Sequence, residues 1–84
     1  MASKNLQHQI VESFSGTSPM TYNVINKNCV FIACVNRSTS DLTFTINDIS
    51  VTVSAQDRVF EEYYEEFTQI VITAGTDFQF VVGR

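Results

Sequence analysis

The densest collection of chemically capable side chains in this sequence is VFEEYYEEF, residues 59 to 67, with Asp57 just ahead of it. Asp57, Glu61, Glu62, Glu65 and Glu66 raise two possibilities: a hard-cation site, or an acid–base pair. Calcium takes roughly six to eight oxygens from a tight loop, and no alternating acidic loop with its glycine occurs here. A glycosidase pair needs a cleft for the sugar, which a chain of 84 residues can hardly build. The glutamates therefore read as a solvated acidic surface. The rings between them have their own spacing. Phe60, Tyr63, Tyr64 and Phe67 stand at i, i+3, i+4 and i+7, one face of a helix, with the glutamates facing away. This predicts a short helical turn near residues 57–66. An isolated helix of that length is marginal, so packing must hold it. Phe60 and Phe67 would plug an open end of the fold. Tyr63 and Tyr64, each with an apolar body and a polar tip, become contact candidates.

Other chemistry is thin. Nucleophilic catalysis requires a nucleophile, a base and an orienting acid within reach of one another. The single histidine, His8, stands near an end of the chain, and nothing marks Ser13 or Ser15 near it. No glycine-rich phosphate loop occurs. Cys29 and Cys34, five apart on one strand, would lie about 16 Å apart, whereas a disulfide needs roughly 7 Å or less. They read as buried, reduced thiols from a reducing compartment. With no further cysteine pair or histidine cluster, a zinc site is not expected. The expectation is a protein that is not an enzyme, with no cofactor, no metal and no small-molecule substrate.

Composition narrows the partners. A net charge of −4 offers no positive footprint for nucleic acid and no attraction to an anionic membrane surface. The first residues lack the apolar segment of a secretory signal, and the longest apolar run, residues 29–35, is far short of a membrane helix. With 44% hydrophobic and only 17% charged residues, the chain has the composition of a folded domain. Three glycines and one proline leave Asn, Asp, Ser and Thr to make the turns.

The strands that must position these side chains are readable from alternation. In DLTFTINDISVTVSA, Leu42, Phe44 and Ile46 alternate with threonines, and Ile49, Val51 and Val53 with hydroxyl residues. A two-residue Asn47-Asp48 loop pairs Ile46 with Ile49, Phe44 with Val51 and Leu42 with Val53, and any one-residue slip destroys the match. Residues 28–36, NCVFIACVN, are apolar on both alternating sets, as in strands covered on both faces. Residues 36–41, NRSTSD, read as a polar turn. MTYNVIN forms a strand with Met20, Tyr22 and Val24 on one face. AlaGlyThrAsp, residues 74–77, reads as a hairpin turn that brings Val71 near Phe80 and Ile70 near Val81, again with both faces apolar. Leu6, Ile10, Val11 and Phe14 suit either a short helix from about Ser3 to Ser15 or an edge strand or arm. The β character of everything after them favours the latter, with residues 1–18 as a possible extended arm.

The total is a single all-β domain over residues 1–84, a small antiparallel β-sandwich or partly open barrel of six or seven strands. A chain this size makes two layers, and segments apolar on both faces leave one face each to be covered. A partner subunit is one way to cover it. Ile70 and Val81 join Tyr63 and Tyr64 as interface candidates on that ground.

Residues 49–75, ISVTVSAQDRVFEEYYEEFTQIVITAG, resemble a segment of small structural proteins and appended modules of tailed bacteriophages and prophages. Val51 and Val53 match its first strand, Ala55 and Asp57 its turn, Phe60, Glu61 and Glu62 its centre, and Phe67, Ile70 and Ile72 its exit strand. Gln56 stands where the pattern has glycine. The resemblance implies a virion component: a head decoration, a tail or baseplate part, or a fibre anchor. It would self-associate or bind other virion proteins, in the virion or the host cytoplasm. Two other classes fit the residues. A carbohydrate- or protein-binding sandwich module would need exposed rings aligned on one sheet face. A small acidic inhibitor would use the glutamate cluster.

Overall fold

The computed structural model describes residues 9–56 and 58–84. Eight strands run through them: β1 (Ile10–Gly16), β2 (Met20–Asn23), β3 (Phe31–Asn36), β4 (Leu42–Ile46), β5 (Ile49–Val53), β6 (Arg58–Tyr63), β7 (Gln69–Ala74) and β8 (Phe78–Gly83). They form two four-stranded antiparallel sheets, ordered β1-β8-β3-β6 (sheet A) and β2-β7-β4-β5 (sheet B). The chain is all-β. It exceeds the expected six or seven strands, because QIVESFS takes the edge-strand alternative as β1 and the segment expected as a helical turn adds β6.

The β4–β5 hairpin has the register read from the sequence: Ile46 opposite Ile49, Phe44 opposite Val51, Leu42 opposite Val53. Asn47 and Asp48 both adopt positive φ, 51° and 65°. This is the geometry of a two-residue turn whose twist matches its strands. It is also the one connection that stays within a sheet; β1–β2, β2–β3, β3–β4, β5–β6, β6–β7 and β7–β8 all cross from one sheet to the other.

The last of these crossings corrects the expected β7–β8 hairpin, and side-chain parity supplies the reason. Paired through residues 74–77, Ile70 and Ile72 would face away from Phe78, Phe80 and Val82, and one set would be stranded. With β7 in sheet B and β8 in sheet A, both sets point into one interior: Ile70, Ile72, Phe78, Phe80 and Val82 are all buried. The crossing is tight. A Cβ on Gly75 would lie 2.8 Å from Leu42 Cδ1 and 2.9 Å from the Phe78 ring, so a side chain here would force these two buried residues to shift.

The expected helical turn near residues 57–66 is a strand instead. β6 pairs along its length with β3, Phe31 to Tyr63 and Cys34 to Phe60. A six-residue helix has few internal hydrogen bonds to offset its ordering entropy, whereas the edge of β3 supplies a full ladder. The chain turns the corner after β6. The Tyr64 and Phe67 N–H groups donate to the carbonyls of Val30 and Cys29 at 2.8 and 3.0 Å, and Phe67 is 1% exposed, plugging that end of the sandwich.

Asn36, read as the start of a polar turn, ends β3 inside the protein. It is fully buried. Its Nδ2 donates to the carbonyls of Ser40, Val53 and Ser54 at 2.9, 3.0 and 3.1 Å. Its Oδ1 accepts from the Ser38 N–H and hydroxyl at 3.1 and 2.8 Å. One amide thus ties the β3–β4 turn to the end of β5. Both cysteines are free and buried, and burial pushes the Cys34 thiol up to about 12.

Two outcomes follow. Asn36→Ala strands several buried polar groups and is expected to cost about 2–4 kcal/mol, read as a lower urea midpoint. Gln56 adopts a φ of 69°, in the left-handed region that favours glycine. Gln56→Gly is expected to raise the midpoint by up to about 1 kcal/mol, since relief of left-handed strain exceeds the added unfolded-state entropy. A Gln56→Gly midpoint at or below wild type contradicts this.

Candidate interaction surfaces

The two sheets present unlike outer faces. On sheet B the side chains pointing away from the core are mostly hydroxyls and amides: Thr43 and Thr45 on β4, Ser50 and Thr52 on β5, Gln69 and Thr73 on β7. Thr43 and Thr52 pair across the hairpin, their hydroxyls 3.2 Å apart. A depression of about 230 Å³ is lined by Thr45, Asn47, Asp48, Thr68, Gln69 and Val71. It contains no aromatic ring on which a sugar could stack.

On sheet A the corresponding face is apolar at its centre. Val35 lies opposite Val59 on one side and Gln79 on the other, and Ala33 opposite Glu61 and Val81. Ala33, Val35, Val59, Gln79 and Val81 line a shallow groove of about 150 Å³. Val59 is 69% exposed, while Ala33, Val35 and Val81 are half-buried. At one end of this face Phe31 packs against Tyr63, ring centroids 5.3 Å apart, and Phe31 is only 3% exposed despite its outward position.

The residues chosen from the sequence as interface candidates scatter across these environments. Tyr63 lies on the outer face of sheet A and is 55% exposed. Val81 lies on the same face, in the groove. Tyr64 is half-buried against the core, edge-on to Phe67 with centroids 6.5 Å apart, and burial raises its pKa, with Glu62 adding to the effect. Ile70 is fully buried in the sandwich interior, because the crossing of β7 turns it inward, so it is out of a partner's reach. Val35 and Val59 belong to this face although neither is among those candidates: Val35 lies in the run that is apolar on both alternating sets, and helical spacing over residues 59–67 obscures Val59.

Among the described residues no cluster of three or more metal-ligating side chains occurs, and Asp57 lies outside the described residues. Glu61, Glu62, Glu65 and Glu66 are exposed. Glu66 accepts the Asn28 N–H at 2.9 Å, where Asn28 adopts a φ of 65°. No described helix is long and apolar enough to cross a membrane.

The most heavily bonded carboxylate is one that the sequence did not single out. Glu12, on β1, accepts the Tyr22 hydroxyl on Oε1, and the Ile25 N–H, the Asn26 N–H and the Asn26 side-chain amide on Oε2. Burial works to raise its pKa, but these hydrogen bonds together outweigh it and hold the carboxyl below the ordinary glutamate value. The hydrogen bond to Glu12, with burial second, raises Tyr22 to about 12. Arg84 joins from the other side, donating to the Lys27 carbonyl at 3.1 Å and to Asn26 Oδ1 at 3.4 Å. Together these bonds hold the 24–28 loop against the end of the sandwich, a role of organisation rather than chemistry.

Comparison with protein-family models, with curated proteins and with solved structures returned no match to this chain.

Glu12 has a defined pH signature. Its folded pKa is depressed, so the stability it contributes is present above the ordinary glutamate range, from about pH 5 upward, and is lost as the pH falls through that range. Glu12→Gln is expected to cost about 1–2 kcal/mol at neutral pH, the scale of charge-assisted hydrogen bonds, and to flatten the acid limb of the stability profile. An unchanged acid limb in urea titrations at several pH values would show that Glu12 is not its source.

Proposed function

We propose that the protein works without catalysis, as an assembly subunit whose apolar outer face on sheet A packs against a partner subunit. One observation carries the reading. In a two-layer sandwich an outer face is ordinarily polar, as sheet B's is, yet the centre of sheet A's is Ala33, Val35, Val59 and Val81, with Val59 mostly exposed. Apolar surface gathered on one side is what subunit contacts use. The surplus is smaller than the sequence implied, because the β7–β8 crossing hides Ile70, Ile72, Phe78, Phe80 and Val82; what is left is one confined patch. The specific form of this proposal is a virion component of a tailed phage or prophage, in head decoration, in the tail or baseplate, or as a fibre anchor. That form rests on the resemblance of residues 49–75.

Sedimentation equilibrium over a wide concentration range tests the reading. The wild-type chain is expected to associate as concentration rises. Val59→Glu replaces an exposed residue, so it should leave the urea midpoint within about 0.5 kcal/mol while weakening association by about tenfold or more. A wild-type chain that stays monomeric to about millimolar, where even weak complexes form, would rule out self-assembly and leave only a different partner protein. Full association by Val59→Glu would exclude this face.

A further inference from the structure

Each sheet has two edge strands, and an unprotected edge is a template for another strand. Three of the four edges carry recognisable protection. β1 has a register irregularity between Ile10 and Glu12, and turns the charged Glu12 inward. β2 is only four residues long and follows Pro19. β6 carries the exposed Glu61 and Glu62. β5, ISVTV, has none of these devices. It has no charge, no proline and no glycine; its pairing with β4 is regular over five consecutive pairs; and no described strand lies on its other side.

We infer that the free edge of β5 pairs with β5 of a second copy of this chain, joining the two B sheets into one eight-stranded antiparallel sheet across a two-fold axis at Val51. This contact uses a different surface from the sheet A face and stands independently of it.

The hairpin determines which groups are available. Its two-residue turn makes Ile46 and Ile49 the closing hydrogen-bonded pair. Alternation along an antiparallel ladder then turns the amides of Ile49, Val51 and Val53 toward β4, and the N–H and C=O of Ser50 and Thr52 toward the open edge. A two-fold axis at Val51 sets Ser50 opposite Thr52 of the second copy and Thr52 opposite its Ser50. These are hydrogen-bonded pairs, and they satisfy the two edge N–H and two edge C=O groups of each strand segment at once.

The side chains agree with that register. On the core side Ile49 meets Val53, and Val51 meets Val51, so the half-exposed Ile49 and half-buried Val51 gain apolar cover. On the outer side hydroxyl meets hydroxyl, extending the Thr43–Thr52 pairing. No like charges oppose one another anywhere along the five residues, the condition that favours cross-strand pairs. This match of the strand with itself, residue class by residue class, identifies a second copy as the occupant.

A charge exchange tests the inference. Ser50 and Thr52 are exposed on the monomer, so S50K/T52K and S50E/T52E should both fold, checked by urea midpoint. In each variant the two-fold register sets like charges directly opposite one another twice. Each variant alone is expected to lose dimer affinity by about tenfold or more in sedimentation equilibrium. An equimolar mixture of the two is expected to recover mixed dimers, since Lys then faces Glu at both positions. Either double variant dimerising as wild type overturns the inference, as does a mixture that stays monomeric, or a wild-type chain monomeric to about millimolar. Val59→Glu separates the two surfaces: it should leave β5 pairing intact, so a dimer sensitive only to Val59→Glu overturns the β5 contact while supporting the sheet A face.

Discussion

One line of aromatic rings joins the sheets, and the rest of the fold is arranged around it. Tyr22 stacks on Phe14 with centroids 4.1 Å apart, and Phe14 stacks on Phe80 at 4.9 Å. Phe44 meets Phe80 edge-on at 5.1 Å, and Phe60 at 5.9 Å. Tyr22 and Phe44 belong to sheet B and the other three to sheet A, so the line crosses the interior repeatedly. Phe44 and Phe80 are fully buried. Truncating a ring of this kind typically costs about 3–5 kcal/mol, a large share of the roughly 5–15 kcal/mol that holds a small domain together. With no disulfide to constrain the unfolded chain, that packing carries the stability.

The ring line also dictates the topology. Every strand contributes to the interior by alternate residues, and consecutive strands can share it only when their parities agree. β4 and β5 agree across a two-residue turn and remain neighbours. β7 and β8 do not, so the chain crosses. Such crossings leave backbone groups without ladder partners, and polar side chains satisfy them. Asn36 does this where β3 leaves the core, and Glu12 does it at the loop between β2 and β3. The turns are made with almost no glycine. Asn28, Asn47, Asp48 and Gln56 take positive φ, and no glycine does; after glycine, asparagine and aspartate are the residues that visit this region most readily.

The functional surfaces follow from the same arrangement. A two-layer fold has two outer faces and four edges, and this chain treats them differently. Sheet B's outer face is polar, sheet A's is apolar at its centre, and β5 is the edge without protection. Two open depressions lie on the outer faces, one on each sheet. Surface burial and strand pairing are the interactions on which the proposed assembly rests.

From the sequence by itself came the β class, the β4–β5 register and the buried free thiols, because these depend on local alternation, turn chemistry and residue type. Side-chain spacing also suggested a helix for residues 57–66, since four rings at i, i+3, i+4 and i+7 satisfy that period whatever the neighbours. Only the tertiary structure decided otherwise: the open edge of β3 offered β6 a ladder that a short helix could not match. It likewise decided that Ile70 points inward, that Val59 and Val35 face outward beside Val81, and that Glu12 and Asn36 have interior partners. Each of these depends on which sheet a strand joins, and that choice is made by contacts between residues far apart in the chain.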